Sequence, residues 1–182
     1  TSYGTVIKDS GKLYFVDRKG QVVIQPGDYD AGEMDKVNGL LALKDNSTDK
    51  WGIFDVSTGK QVISFKYDAI SFAGTDRLVV VKDNVKNLID MNSGKSMYAA
   101  QTEATIEPFN NDTVTWVHTG KDGYTIIDND GHVLFRDTNK VVEDAKSFNH
   151  GFSSVKSKGK WGIMNSKGEW IVQPTYEAVN VL

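Results

Sequence analysis

Five side chains that could serve as acids or metal ligands recur along the chain at a nearly constant spacing. They are Asp17, Asp55, Asp90, Asp128 and Asn165, separated by 38, 35, 38 and 37 residues. Residues 128–131 (DNDG) have the oxygen-rich composition of a calcium loop, but position twelve of such a loop is Asn139, which lacks the bidentate carboxylate that closes an EF-type site. We therefore predict that this column closes hairpin turns, and that the chain binds no metal and no cofactor.

A second column is basic and ends an apolar strand in each copy. It consists of Lys8, Lys44, Lys82, His118 and Lys156. In a closed ring these residues would lie at equivalent positions and could attract an anionic partner, such as an acidic glycan or a phosphate-bearing polymer. The alternative is a set of solvated strand ends, because Asp9, Asp45 and Asp83 follow three of the lysines and would cancel part of the field.

Two tryptophans stand where the sister copies have smaller residues. Trp170 aligns with Val, Gln, Ser and Val, and Trp116 aligns with Ala, Val, Ser and Val. A position that tolerates Gln and Ser is expected to be partly exposed, so Trp170 and Trp116 are candidate ligand contacts. The alternative is that each tryptophan fills a locally roomier gap.

Zinc and catalytic motifs do not emerge from the sequence. The three histidines, His118, His132 and His150, occupy different columns, and a zinc site needs three or four converging ligands. No nucleophile elbow, phosphate-binding loop or His-Glu-x-x-His motif is present. Paired carboxylates for glycoside cleavage are the remaining enzymatic alternative. The copy-specific acids are Glu33, Glu103, Glu107 and Glu143.

The segments between these columns also repeat. Residues 50–55 (KWGIFD) match residues 160–165 (KWGIMN), and weaker copies occupy 13–17, 86–90 and 124–128. Each copy predicts an apolar strand, an Asp–Gly hairpin turn, a second strand, an irregular stretch and a third strong strand. A short extra strand is expected around residues 69–72. No window has a convincing helical period, and the nearest candidate, 140–148, is predicted as strand from its place in the repeat.

Five copies of about 37 residues account for nearly the whole chain. Three or four strands per copy fit a propeller blade or a turn of an open array. Residues 3–8 resemble the third strand that the fifth copy lacks, so we expect residues 1–11 to complete the last unit and close the ring without a free edge. The predicted fold is an all-β, five-bladed, propeller-like ring of antiparallel strands that forms a single domain over 1–182.

Composition narrows the classes of partner. The chain has 21 Lys+Arg, of which three are Arg, against 24 Asp+Glu, and its net charge is −3. It therefore lacks the excess of basic residues that is typical of nucleic-acid-binding proteins. The chain has no Cys, which excludes disulfides and thiol nucleophiles, and no apolar stretch long enough for a membrane span. At 39% hydrophobic residues, the 182-residue chain can bury a core of its own, and we expect a monomer.

The pattern Lys-Trp-Gly-Ile-x-Asp, followed by Gly, an apolar run and Tyr, resembles the WG-repeat (tryptophan-glycine) family of bacterial proteins. The match is strong at Trp51-Gly52 and Trp161-Gly162 and degenerate elsewhere, with Leu13, Lys86 and Tyr124 at the Trp position. The resemblance implies a β-rich, propeller-like interaction module that is frequently secreted or envelope-associated and has no shared catalytic residues. We expect each Trp to pack at the start of a blade strand, with Gly beside it for close approach.

We therefore expect a non-enzymatic binding module that recognises a protein, a peptide or a glycan through a propeller face. One alternative is a carbohydrate-active enzyme that uses paired acids, and another is a structural spacer within a longer protein. The resemblance, together with a chain that begins at Thr1 and not at Met, favours a secreted or cell-envelope location over a cytoplasmic one.

Overall fold

A computed structural model describes residues 3–120 and 123–182, so the first two residues of the predicted segment 1–11 lie outside the described residues. The described part is all-β and contains nineteen strands and no helix. It accordingly has no helix of the length and apolar character that crossing a membrane requires.

The strands form five antiparallel sheets in which strands consecutive in sequence are neighbours. The first sheet contains β1 (Gly4–Asp9), β2 (Lys12–Asp17) and β3 (Val22–Gly27). The second contains β4 (Tyr29–Asp35), β5 (Leu40–Asp45), β6 (Lys50–Asp55) and β7 (Gln61–Tyr67). The third contains β8 (Ala69–Gly74), β9 (Arg77–Lys82), β10 (Val85–Asp90) and β11 (Ser96–Gln101). The fourth contains β12 (Thr105–Ile106), β13 (Val114–His118), β14 (Tyr124–Asp128) and β15 (Val133–Arg136). The fifth contains β16 (Asp144–Ala145), β17 (Phe152–Ser157), β18 (Lys160–Asn165) and β19 (Trp170–Tyr176).

The predicted class and the three or four strands per unit are confirmed, including the short strand near residue 70, which is β8. Each sheet joins the third strand of one repeat to the hairpin of the next. Strand β1 accordingly pairs with β2, with Lys8 opposite Leu13, and lies in the first sheet. The last sheet consists of β16–β19, so β1 is not one of its strands. The closed ring stays a prediction.

The chain divides into two compact units, of which the first holds the residues up to Phe72 and Val80–Asp83. The core of this unit lies between the first and second sheets, where apolar residues from alternate strand positions meet. Its buried members are Leu13, Phe15, Ile24, Leu41, Leu43, Phe54 and Val56. All four residues 40–43 are buried, so both faces of β5 are covered.

The second unit holds Ala73–Val79 and Asn84–Leu182. It contains two clusters, and each draws residues from consecutive sheets. One contains Ala73, Val79, Leu88, Ala104, Ile106, Phe109, Val117 and Ile127. The other contains Val114, Trp116, Ile126, Val142, Phe148, Val155 and Met164. Because successive side chains of a strand point to opposite faces, one face of the fourth sheet packs in the first cluster and the other face packs in the second.

The anchor column closes the hairpins, as predicted. In the first sheet, Asp17 Oδ1 accepts hydrogen bonds from the backbone N–H groups of Lys19 (2.8 Å) and Gln21 (2.9 Å). Asn165 makes the same pair of bonds in the fifth sheet, so the role requires an acceptor oxygen and not a charge. The turn then needs a left-handed residue, which glycine supplies, for example Gly59 at φ 76°.

The Trp-Gly pairs mark a wide bulge between the hairpin strands. In the second sheet Trp51 pairs with Tyr67 and Ile53 with Ile63, so that residues 64–66 all face Gly52. The fifth sheet repeats this arrangement, with residues 173–175 facing Gly162. A Cβ on Gly52 would lie 2.5 Å from the carbonyl oxygen of Ile63, and only glycine leaves room for the bulged backbone.

Where the glycine is missing, the bulge shrinks or disappears. Asn87 pairs regularly with Ala99, and Thr125 pairs regularly with Arg136. Tyr14 is intermediate, since it faces only two residues, 25–26, of the neighbouring strand. The degenerate copies of the motif are therefore copies with a different strand pairing.

We predict that Gly52→Ala and Gly162→Ala lower the free energy of unfolding by about 1–3 kcal/mol, because a methyl group at either position meets bulged backbone within 2.5 Å. Urea unfolding at neutral pH measures the change. The matched control is Gly123→Ala, since a Cβ there meets no heavy atom of the described residues within 4 Å and the backbone has no left-handed φ. Equal losses in the three variants would contradict the bulge explanation.

We also predict that the second hairpin weakens in acid. The Ser57 hydroxyl and the backbone N–H groups of Ser57 and Thr58 hold the pKa of Asp55 below its ordinary value of 3.8. Because this pKa is lower in the folded chain, the carboxylate stabilises the fold above about pH 4 and loses this effect as the pH falls.

Asp55→Ala should cost on the order of 1 kcal/mol at neutral pH and should flatten the acid dependence of thermal unfolding. Asp55→Asn is the matched variant, since it keeps an acceptor as Asn165 does and removes only the titration. Wild-type acid dependence in both variants would show that the Asp55 carboxylate is not its source.

Candidate functional site

The basic column lies at equivalent places in the five sheets. Each member is the last or the last but one residue of its strand. The strands are β1, β5, β9, β13 and β17, and the residues are Lys8, Lys44, Lys82, His118 and Lys156. Their role as ligand contacts stays a prediction.

Acidic side chains stand beside this column in the first unit. Asp30 lies 3.4 Å from Lys8 Nζ and 3.7 Å from Lys44 Nζ, and Lys44 also contacts Asp49 at 3.4 Å. A hydrogen bond from Asn46, with the two lysines, lowers the pKa of Asp30. Ion pairing therefore offsets part of the positive charge at these two strand ends.

Asp68, also in the first unit, binds a lysine outside the column. It forms an ion pair with Lys50, whose ammonium is the main cause of the lowered pKa of Asp68. Lys82 contributes a smaller electrostatic effect in the same direction.

Of the two column members in the second unit, His118 and Lys156, the first is an imidazole with two neighbours. His118 Nε2 lies 2.9 Å from Glu107 Oε1, and the ring stacks on Tyr124 with centroids 5.1 Å apart. Burial, together with the charges of Asp144 and Glu107, raises the pKa of Tyr124. Lys156 lies opposite Asp144 on β16, so here too a carboxylate stands in register with the basic residue.

Both motif tryptophans are covered within their own sheets. The Trp51 ring lies over Gly32 of β4, where a Cβ would come within 2.5 Å of it. Lys146 takes the corresponding place in the fifth sheet, with Nζ 5.1 Å from the centre of the Trp161 ring. Neither indole stands free on the surface.

The prediction that Trp116 contacts a ligand is wrong. Its side chain is only 2% exposed, the indole N–H donates to Ser153 Oγ at 2.9 Å, and the ring stacks on Phe148. Three of the four sister residues, Ala42, Val80 and Ser154, are buried as well, and the fourth, Val6, is exposed. Trp170 is half-buried against the same cluster and keeps an accessible part, so it remains a candidate contact.

Three side chains of types that bind metal ions lie close together, although the alignment of the repeats did not group them. Asp128, Asp130 and His132 place ligand atoms within 4.8 Å of one another. Asp128 Oδ1 already accepts two backbone N–H groups, Asp128 Oδ2 lies 3.0 Å from His132 Nδ1, and the Arg77 guanidinium lies 3.2 Å from Asp130. The positive charge of Arg77 would repel a metal ion bound here, so the arrangement is better suited to fixing the turn.

The four copy-specific acids have separate partners. Glu33 accepts the backbone N–H of Phe72 at 2.9 Å, and Glu143 accepts that of Gly159 at 3.1 Å. Glu107 contacts His118, and Glu103 accepts the hydroxyl of Thr102 at 3.4 Å. Each of the four carboxylates therefore has a different local neighbour.

The structure adds a polar groove that the repeat columns did not reveal. Two cavities of about 320 and 530 Å³ share Asn111, Asp112 and Thr113, in the turn between β12 and β13. The sequence signal is the run of polar residues 110–113 (NNDT) before a third strand, where other copies have shorter or glycine-containing turns. An alignment of the five copies that considers only their shared positions does not detect a turn that is present in one copy.

Comparison with solved structures identifies the fold. The chain superposes on a eukaryotic initiation factor with a TM-score of 0.67 at 9% identity, over 97% of this chain and 53% of that one. KlHsv2 with loop 6CD replaced by a Gly-Ser linker gives 0.56 at 13% identity, over 93% and 62% of the two chains. Hsv2 of Kluyvelomyces marxianus gives 0.54 at 8% identity, over the whole of this chain and 72% of that one. The fold is thus propeller-like, and the chain spans about half the length of the initiation factor.

Sequence comparison gives a family and no individual relative. None of the curated proteins compared with the chain matches it. The family model of the WG containing repeat matches residues 15–48, 51–85 and 161–181, which include both Trp-Gly pairs. These three segments thus match the WG containing repeat, as the motif predicted.

Proposed function

We propose that the protein is a non-enzymatic interaction module that binds a protein, peptide or glycan partner. The observation that carries the proposal is the repetition itself: equivalent strand ends with basic side chains recur in the five sheets of a propeller-like fold. The acids considered for catalysis have separate local partners, which fits a binding role better than a catalytic one.

The proposal has two finer parts. One is that the five units close into a ring, and the other is that the protein works outside the cytoplasm or at the cell envelope. The WG repeats support the first, since each supplies a similar strand set, and the family resemblance supports the second. Small-angle scattering tests the ring, and fractionation of the source cells tests the compartment.

The binding role is tested by presenting the chain to arrays of glycans, peptidoglycan fragments and envelope proteins. At least one class of partner should bind saturably and survive a wash at physiological salt. Release of new reducing ends from a labelled polysaccharide would contradict the non-enzymatic role. Saturable binding to none of the arrays would favour a structural spacer.

We predict that Lys44→Gln, Lys82→Gln and Lys156→Gln together weaken binding to a polyanion such as polygalacturonate on the order of tenfold at low salt, because three positive charges of the basic column, one exposed and two half-buried, are lost. Isothermal calorimetry at two ionic strengths measures the change, which should shrink as salt screens the column.

The control carries the same change in net charge at a different place. Lys19→Gln, Lys60→Gln and Lys95→Gln remove three exposed lysines beside the hairpin turns. Equal loss in both triple variants would show an effect of net charge alone, and the basic column would then have no special role.

A further inference from the structure

We propose that the polar groove formed by the turns of the third, fourth and fifth sheets binds a neutral oligosaccharide. This inference rests on the proposed binding role and gives it a ligand class and a site. The groove lies entirely within the second unit. Its two cavities, of about 320 and 530 Å³, fall within the common range of small-molecule sites, about 300–1,000 Å³.

The walls of the groove are fixed by hydrogen bonds between sheets. Asp112 Oδ2 accepts the backbone N–H of Gly151 at 2.9 Å, which ties the fourth sheet to the fifth. Arg77 Nε donates to the backbone oxygen of Asn129 at 2.6 Å, which ties the third sheet to the fourth. A binding surface held in this way loses little conformational entropy when a ligand arrives.

Several polar side chains of the groove are left for a ligand. Among the hydrogen bonds of the described residues, the side-chain amides of Asn111 and Asn149 and the imidazole of His150 have no partner. Asn111 and His150 also have left-handed backbones, with φ of 66° and 52°. Asn and His tolerate this conformation better than most residues, and it recurs in other turns of the chain.

The charge of the groove argues against an ionic ligand. The Arg77 guanidinium is held by Asp90 at 2.8 Å and Asp130 at 3.2 Å, so its charge is compensated. Asp112 adds one carboxylate, and among the residues that the structure describes no lysine lines either cavity. A phosphate or uronate polymer would meet this carboxylate without a free cation to bind it.

Sugar hydroxyls match the hydrogen-bonding groups that the groove offers to a ligand. A hydroxyl both donates and accepts, an amide does the same through its two ends, and Asp112 accepts. Phe109, which lines the smaller cavity, is only 4% exposed and therefore offers no face on which a ligand ring could stack. These features select a neutral polyhydroxylated ligand bound by hydrogen bonds.

The test is an NMR titration of the full chain with neutral hexasaccharides of glucose, mannose, galactose and N-acetylglucosamine, together with hexagalacturonate and a mixed peptide pool. At least one neutral hexasaccharide should shift the amide signals of residues 74–77, 110–113 and 149–151. The anionic hexasaccharide should bind more weakly than its neutral galactose counterpart.

Asn111→Gly combined with Asn149→Ala should weaken this binding about tenfold or more, since two hydrogen-bonding amides are removed. Glycine at 111 preserves the left-handed backbone. Asn84→Gly is the matched control, because Asn84 has φ of 62° in a turn outside the groove. Thermal unfolding of each variant separates a lost contact from a lost fold.

The outcomes separate the two proposals. Shifts confined to other residues, or shifts in the groove caused only by hexagalacturonate or peptide, would overturn the glycan site and leave the binding role standing. Unchanged affinity in the double variant would also overturn the site. Binding to none of these probes, nor to any of the arrays described above, would overturn both proposals.

Discussion

A single acceptor oxygen fixes the geometry of each hairpin in this protein. The side chain of the anchor residue holds two backbone N–H groups of the following turn, in the first sheet through Asp17 and in the fifth through Asn165. The turn sets the register of the two strands, and the register decides which side chains face each neighbouring sheet. The clusters between consecutive sheets, such as the one containing Leu43 and Phe54, depend on that register.

The periodicity of the anchor column was enough to predict the class of fold, the strand number and the turns, because these depend on contacts within about ten residues. The sequence was weaker wherever the outcome depended on contacts between sheets. Trp116 illustrates this: its neighbour Ser153 is 37 residues away, and nothing local distinguishes a roomy core position from an exposed one. The sheet membership of β1 was equally hard to predict, since a strand that resembles the end of one repeat pairs with the start of another.

The candidate site also combines features that the sequence predicted with features that depend on contacts between distant residues. Equivalent positions were found from spacing alone, but the carboxylates beside them were not, because Asp30 reaches Lys8 and Lys44 from a different strand. The polar groove lies in turns that differ from copy to copy, where repetition carries no information. Shared positions therefore identify the scaffold and its basic column, whereas the groove depends on residues that differ between copies.

The wide bulge opposite Gly52 has a consequence for how such repeats diverge. Glycine is needed there because β7 carries surplus residues opposite it, whereas Asn87 and Thr125 occupy the same place where the strands pair evenly. The glycine and the surplus residues are therefore coupled: a side chain added at Gly52 meets the bulged backbone, whereas regular pairing accommodates Asn and Thr. In these two copies, degeneracy of the Trp-Gly motif and regular strand pairing at the same place therefore occur together.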